Sequence, residues 1–233
     1  MIRHLHQRLK SYQDRLSARY GSDISTTEAR RAANLHFQLS DHAFLRVLWT
    51  NFAEFAPGAF RSNQPSPSRL AQFKARGIRT VINLRGVRQQ SFWLFEAEAC
   101  AKLGLTLTDI GLSASILPAR DRLLELHDIF AAAEKPFVIH CKSGADRTGM
   151  AAAMYQMWFT ATPLDQATKQ LSLRFVHLDY GKTGILDHFF RCYGRDAALR
   201  AVSLLDWIET TYDPAEVTAS YTRWQAGGKA GAW

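Results

Sequence analysis

Along this chain the apolar positions fall into two rhythms, and the switches between them mark most of its elements. Phe137-Val-Ile139, after Lys135-Pro136, is a short β-branched and aromatic run that reads as a buried parallel strand. Ile78-Arg-Thr-Val-Ile-Asn-Leu84 and Leu105-Thr-Leu-Thr-Asp-Ile-Gly111 read as two further strands, and Asn51 to Pro65 alternates apolar and small residues around Pro57-Gly58, as a hairpin does. Between these runs lie helical segments. One is predicted from Ser66 to Arg76, ended by Gly77; one over residues 91–103, closed by Gly104; and one over the Met150–Phe159 run, which consists of helix formers. Thr162-Pro163 starts another, with Pro in the first turn, running to about Leu173. Helices from Ile185 to Tyr193 and from Asp196 to about Tyr212 finish the pattern, and Ala226 to Ala232 should fray.

The first fifty residues follow a different rhythm. Ile2, Leu5, Leu9, Tyr12 and Leu16 recur at spacings of three and four, with Arg3, Arg8, Lys10, Arg15 and Arg19 off that stripe, which predicts an amphipathic helix ending near Gly21. A second helix is expected from Thr27 to Leu39, with Thr26 or Thr27 as its cap, and a third around Ala43 to Leu48, begun by Ser40-Asp41. The chain therefore divides into a helical basic extension over 1–50, separate from a core domain over 51–215, and a tail over 216–233.

Composition narrows this picture. With 233 residues, 47% of them hydrophobic, the chain can bury one sizeable α/β core plus an appendage. The net charge is +8, and half of it sits on residues 1–50, where eight Arg and Lys face four Asp and Glu. Such a balance favours anionic partners: phosphorylated proteins, inositol phosphates, anionic lipid surfaces or nucleic acid. Three cysteines without a CxxC pair argue against a disulfide framework or a zinc site and for a reducing compartment. His177 and His188 have no ligand-spaced partners, so no metal is expected. Met1 to Lys10 has no unbroken apolar core, and no stretch approaches the roughly 18 apolar residues of a membrane span. A cytoplasmic protein is expected, its basic first helix either packed on the core or in peripheral contact with an anionic membrane at the inner surface.

The chemistry sits in His140-Cys141-Lys-Ser-Gly-Ala-Asp-Arg147-Thr148-Gly149, between the Phe137 strand and the Ala-rich helix. If residues 141–147 curl so that successive N–H groups point inward, the loop becomes a nest for a tetrahedral dianion, lined by Lys142, Ser143, Gly144 and Ala145. The same field favours thiolate at Cys141, so its pKa should fall below the free value of about 8.5. Arg147 can hold two phosphoryl oxygens bidentately, Gly144 lets the backbone turn close to the ligand, and the Thr148 hydroxyl can ease departure of the thiolate. Cys100 and Cys192 read as small buried hydrophobes, with a protective disulfide to Cys141 as the other reading.

This decapeptide resembles the HC-x5-R-[ST] signature of the protein tyrosine and dual-specificity phosphatase superfamily, and Phe60-Arg-Ser-Asn-Gln-Pro65 is similar to the YRS-x-QP opening of its bacterial and atypical dual-specificity branch. The resemblance covers residues 51 to about 190. It implies an α/β fold, with a central mostly parallel sheet flanked by helices and an N-terminal helical extension. It also implies a metal-independent, cofactor-free phosphomonoester hydrolase, with Cys141 as nucleophile, Arg147 and Thr148 in support, His140 before the nucleophile, and Lys182 and Thr183 on a loop lining the pocket. Dual-specificity enzymes carry a general-acid aspartate on the loop after the Leu105 strand, but this chain has only Ser113 to Ser115 there. Asp146 stands where the similar myotubularin-type C-x-x-G-x-D-R-T arrangement has its proposed acid; Asp109 and Asp121 are the other carboxylates within range, and a site with no acid would prefer good leaving groups. The expected function is a tyrosine/dual-specificity-type protein phosphatase. Lys142 resembles the Cys-Lys pairing of lipid phosphatases and raises phosphoinositides or inositol phosphates as the alternative. A catalytically silent phosphate-binding module, and a sulfur transferase or arsenate reductase with a related loop, are further alternatives; a nucleic-acid partner is not expected.

Overall fold

The computed structural model describes residues 20–227. The amphipathic helix expected over residues 2–19, and the last residues of the expected fraying end, lie outside that range. Five strands make one sheet: β1 (Ala53–Ala56), β2 (Ala59–Asn63), β3 (Thr80–Asn83), β4 (Thr106–Asp109) and β5 (Phe137–Cys141), in the order β1-β2-β5-β3-β4. β1 and β2 form the expected antiparallel hairpin, and the remaining pairs are parallel. β5 therefore lies in the centre with parallel neighbours on both sides, which is why all five of its residues are buried.

Alternation along β5 sends its side chains to two different layers. Phe137, Ile139 and Cys141 face the larger core, while Val138 faces a smaller one made with Leu70, Phe73, Ile78, Val81, Ala99 and Cys100. The helices are α1 (Thr27–Leu39), α2 (Pro67–Ala75), α3 (Ser91–Leu103), α4 (Arg120–Ala132), α5 (Asp146–Phe159), α6 (Leu164–Ala167), α7 (Ile185–Arg200), α8 (Leu204–Thr210) and α9 (Pro214–Ala226). The smaller core lies under α2 and α3; the larger gathers α4, α5 and α7 to α9. Ala151, Ala152 and Ala153 of α5 are fully buried, and side chains that small let the helix seat close to the sheet. None of the helices among the described residues is long and apolar enough to cross a membrane.

Several expected boundaries shift. The residue 1–50 extension is not separate over its described part: Ala33 and Phe37 of α1 pack on Phe92 and Phe95 of α3, and Arg30 holds Glu98 through two hydrogen bonds of 2.8 and 2.9 Å. The third helix is a 3-10 turn, Leu45–Val47, because Arg46 turns inward and is buried. The helix expected to reach Leu173 stops at Ala167 and gives way to 3-10 turns, Thr168–Gln170 and Leu173–Phe175, as Gln170 reaches toward the hairpin. A single α7 runs through Gly194, whose cost to a helix of about 1 kcal/mol is small beside the burial of Phe189, Phe190, Cys192 and Tyr193 around it. Residues 216–226 are not a tail. Asp213 caps α9 by accepting from the Ala215 and Glu216 amides at 2.7 and 3.3 Å, and Val217, Tyr221 and Trp224 join the larger core.

Candidate active site

Cys141 ends β5, and the four residues after it form the loop that leads into α5 at Asp146. What shapes the loop is how its carbonyls are held. The Gln64 amide donates to the Lys142 carbonyl at 3.3 Å, Asn51 Nδ2 to the Ser143 carbonyl at 2.9 Å, and Arg61 Nη2 to the Gly144 carbonyl at 2.6 Å. Three successive carbonyls thus point out toward the β2 side. The intervening amides are turned the other way, toward Cys141. The Gly144 amide donates to the Cys141 sulfur, as does the Thr148 amide at the first turn of α5, whereas the Ala145 amide is taken up by Ser143 Oγ at 3.3 Å. Gly144 has φ +73, and a Cβ there would meet the Asn63 amide nitrogen and the Ser62 carbonyl oxygen at 2.7 Å each. The glycine is needed so that the loop can lie against the end of β2.

Arg61 is the residue under the loop. It is fully buried, gives Nη1 to the Gln170 carbonyl at 2.8 Å and to its Oε1 at 2.7 Å, and lies 3.6 Å from the Phe175 ring centroid. Burial drops its pKa to about 9, with the Cys141 charge acting in the opposite direction. Cys141 itself is 1% exposed. Burial pushes its thiol up, but the Arg147 charge, the Thr148 hydroxyl and the Thr148 and Gly144 amides outweigh it, and the thiol is held below its ordinary value. Arg147 is paired with no carboxylate among the described residues and its buried Nε has no partner. The Thr148 hydroxyl is also buried, with no other group to bond to.

His140 faces the opposite layer from Cys141. Its Nε2 lies 2.7 Å from Glu96 Oε1, an ion-pair distance without hydrogen-bond alignment, and Glu96 Oε2 accepts from Gln64 Nε2 at 2.9 Å. Gln64 Oε1 accepts from Arg85 at 2.8 Å, and Arg85 grips both oxygens of Asp41 at 2.7 and 3.1 Å. This buried chain of polar groups runs from the segment after α1 to the residue before the nucleophile.

Asp146, expected as general acid, accepts from or donates to nothing in the loop. Its Oδ1 lies 2.8 Å from His177 Nδ1, and Asp187 Oδ2 lies 2.8 Å from the other ring nitrogen. Burial works against charge on His177, but the two carboxylates more than offset it and raise its pKa to about 9. The Asp146 carboxylate thus faces a histidine held toward its charged form rather than the interior of the loop. Asp109 accepts from Asn83 Nδ2 at 2.6 Å and from Trp93 Nε1 at 3.1 Å, on the His140 side of the sheet. Asp121 is exposed at the start of α4. Lys182 is exposed on a loop whose Gly181 carbonyl is held by Tyr221 and Gln225 of α9. All three cysteines are free, and burial pushes the Cys100 thiol, on the opposite layer, up to about 12. No group of three or more potential metal ligands occurs among the described residues.

The structure places Cys141 to Thr148 in one loop and helix start, with His140 on the opposite layer, and adds Asp41, Arg46, Asn51, Arg61, Arg85, Glu96 and His177 around them. Of the added residues, two carried a signal: Arg61 lies in the Phe60-to-Pro65 motif, and Arg85 directly follows the Ile78-to-Leu84 strand in a stretch, Gly77 to Gly86, that also resembles the superfamily's core motifs. A family model described as PTP-NADK, DSP-PTPase phosphatase fused to NAD+ kinase, matches residues 54–180, more than half of the chain. Protein tyrosine phosphatase domain-containing protein 1 of Mus musculus is 27% identical over 110 residues, 42% of this chain and 15% of its own length. Among solved structures, TpbA of P. aeruginosa is similar with a TM-score of 0.50 at 21% identity, over 61% of this chain and 84% of that one. A glycine-to-alanine mutant form of Tk-PTP also gives 0.50, at 19% identity, over 64% and 97%. These two likenesses are of fold.

Proposed function

Because this chain belongs to the PTP-NADK family of DSP-PTPase phosphatase domains, we propose that it hydrolyses phosphomonoesters through a cysteinyl-phosphate on Cys141. The observation that carries this reading is the loop itself: outward-tethered carbonyls, inward amides and an unpaired Arg147 around a thiol held toward its anion. The Cys141 thiolate attacks phosphorus in line; an S–P bond forms and the bond to the leaving oxygen breaks. Arg147, with the Ser143 and Gly144 amides, carries the charge on the phosphoryl oxygens, so the step needs no metal for that purpose. Water then attacks the same phosphorus, the S–P bond breaks, and the thiolate returns, stabilised by the Thr148 hydroxyl. Asp146, paired with His177, takes the proton of that water.

The same ion pair bears on the first step. With its Oδ1 engaged by the His177 ring, Asp146 is not free to reach the departing oxygen, so the site favours leaving groups that need little protonation, aryl phosphates above all. Protein phosphotyrosine is accordingly the first substrate class. Anionic lipid or inositol phosphates are a second reading, favoured by the cations gathered at Lys142. The family's description also names an NAD+ kinase, so NADP+, the phosphomonoester such a kinase makes, belongs in the same panel.

The test is phosphate release across phosphotyrosine peptides, inositol phosphates, phosphoinositides, NADP+ and a generic aryl phosphate, with vanadate as inhibitor. Wild-type protein is expected to turn over at least one of them in a vanadate-sensitive way. Cys141→Ser should lose that turnover by at least 10³-fold while still binding oxyanions. Appreciable aryl phosphate hydrolysis by Cys141→Ser would remove the nucleophile from this account, and no turnover by the wild type would leave a binding module.

A further inference from the structure

The cations beside the loop exceed what one phosphoryl group uses. Asp41 lies at their centre: its Oδ1 is 2.7 Å from Arg85 Nη2 and 3.6 Å from Lys142 Nζ, and its Oδ2 is 2.9 Å from Arg46 Nη1. A single carboxylate thus answers three cations. Arg85 has neutral groups as its other partners, Gln64 and the Phe92 ring, whose centroid is 3.4 Å from its guanidinium carbon, and Arg46 Nε and Nη2 are buried with no hydrogen-bond partner, the Arg46 side chain being only 5% exposed. Taking a guanidinium out of water costs several kcal/mol unless its donors are met. These three buried or half-buried cations share one carboxylate, the only one in ion-pair distance of any of them among the described residues.

The cluster also adjoins the reacting group. Lys142 follows Cys141 directly, its side chain is 40% exposed, and Arg46 senses the Cys141 charge. The Arg46 backbone is tied to the loop's neighbour as well, since Asn63, the register partner of Cys141, donates to the Arg46 carbonyl at 2.9 Å.

We propose that Arg46, Arg85 and Lys142 form a second anion subsite beside the Cys141 loop, held in the free protein by the Asp41 carboxylate, which takes the second phosphate of a small polyol or headgroup bisphosphate. The inference rests on the phosphatase reading for the group that reacts. It adds the group that is recognised: a phosphate offers more charge and more acceptor oxygens than a carboxylate, and it meets the donors of Arg46 that Asp41 leaves unmet.

Binding to Cys141→Ser protein, measured by calorimetry, reads the subsite without turnover. The probes are inositol monophosphate, a vicinal inositol bisphosphate, the same bisphosphate headgroup in phosphatidylcholine vesicles, and a phosphotyrosine peptide. The bisphosphate is expected to bind at least tenfold more tightly than the monophosphate, and Lys142→Met to reduce that ratio to threefold or less. Arg46→Gln should do the same; being buried, it is paired with Lys142→Met, which alone suffices if the arginine variant does not fold. A bisphosphate preference in only one of solution and vesicles supports the subsite and names its source. Equal binding of the two inositol phosphates, a ratio indifferent to Lys142→Met, or a phosphotyrosine peptide that binds as tightly as the bisphosphate overturns the proposal, even if the wild type hydrolyses all of them. A tenfold preference without any wild-type turnover supports the subsite and overturns the phosphatase reading instead.

Discussion

His177 lies 31 residues from one of its partners and ten from the other, and neither distance is a helix or strand period. Nothing in the local pattern marks it, whereas Cys141, Arg147 and Thr148 are legible because their spacing is that of one turn of chain around one anion. Its charge nevertheless lies against the first residue of α5. The rise from the ordinary 6.5 to about 9 corresponds to roughly 3 kcal/mol at about 1.4 kcal/mol per unit. A raised histidine pKa means that the folded state binds the proton more tightly. The contribution is complete below about pH 6.5 and is lost as pH rises through about 9. Chemical denaturation of the wild type should accordingly show stability declining across that window. His177→Gln should remove the decline and lower stability at pH 6 by roughly 3 kcal/mol, since it leaves Asp146 and Asp187 without their shared cation. A variant with the wild-type pH profile would contradict the pairing. Activity supplies a separate readout: released from the His177 ring, Asp146 is free to turn toward the departing oxygen, so the variant should lose less activity on alkyl than on aryl phosphates.

Elements are legible where one face is buried and illegible where a second element decides the geometry. β3, α3 and β5 lie where the apolar rhythm puts them, because each is packed along its whole length. The segment after α6 has helical spacing but breaks into 3-10 turns, and Gly149 explains why that matters. A Cβ on Gly149 would stand 2.7 Å from the Gln170 carbonyl oxygen, the atom that accepts from Arg61 at 2.8 Å. The glycine on α5 therefore lets the turn approach, the turn holds Arg61, and Arg61 holds the Gly144 carbonyl outward. Gly149→Ala would gain helix propensity of about 1 kcal/mol, but displacing packed backbone costs about 1–3 kcal/mol. The expected net result is a destabilisation of about 1 kcal/mol by thermal melting, with a loss of kcat of tenfold or more from a misaligned loop. Arg61→Lys should reproduce the kcat loss, because a lysine cannot hold Gln170 and Gly144 together with a planar fork. If Gly149→Ala melts lower but turns over normally, the relay from α5 through Gln170 to the loop does not exist.

At the scale of the molecule, the matched family region ends short of the site on both sides. Residues 54–180 contain the loop and Arg61, yet Asn51, Arg46 and Asp41 come from before that span and Asp187 from after it. The chain on either flank closes on the loop, so the helices outside the span position chemistry as well as burying surface. For the N-terminal side the link is specific. Phe37 is 3% exposed and packs with Phe92 and Phe95, its ring centroid 6.2 Å from that of Phe95, while Arg46 lies over its other side at 5.5 Å. The same residue that docks α1 on α3 thus backs the arginine that reaches toward Cys141. Phe37→Ala should cost about 3–5 kcal/mol if the cavity does not collapse, visible as a lower melting temperature. Because the loop's own tethers to Gln64 and Arg61 lie beyond Phe37, kcat on an aryl phosphate should fall less than threefold while KM for an inositol bisphosphate rises at least fivefold, as Arg46 and Asp41 lose their seat. The reverse split, with kcat lost and KM kept, would mean that α1 supports the loop itself and that the cations beside it do not read the substrate.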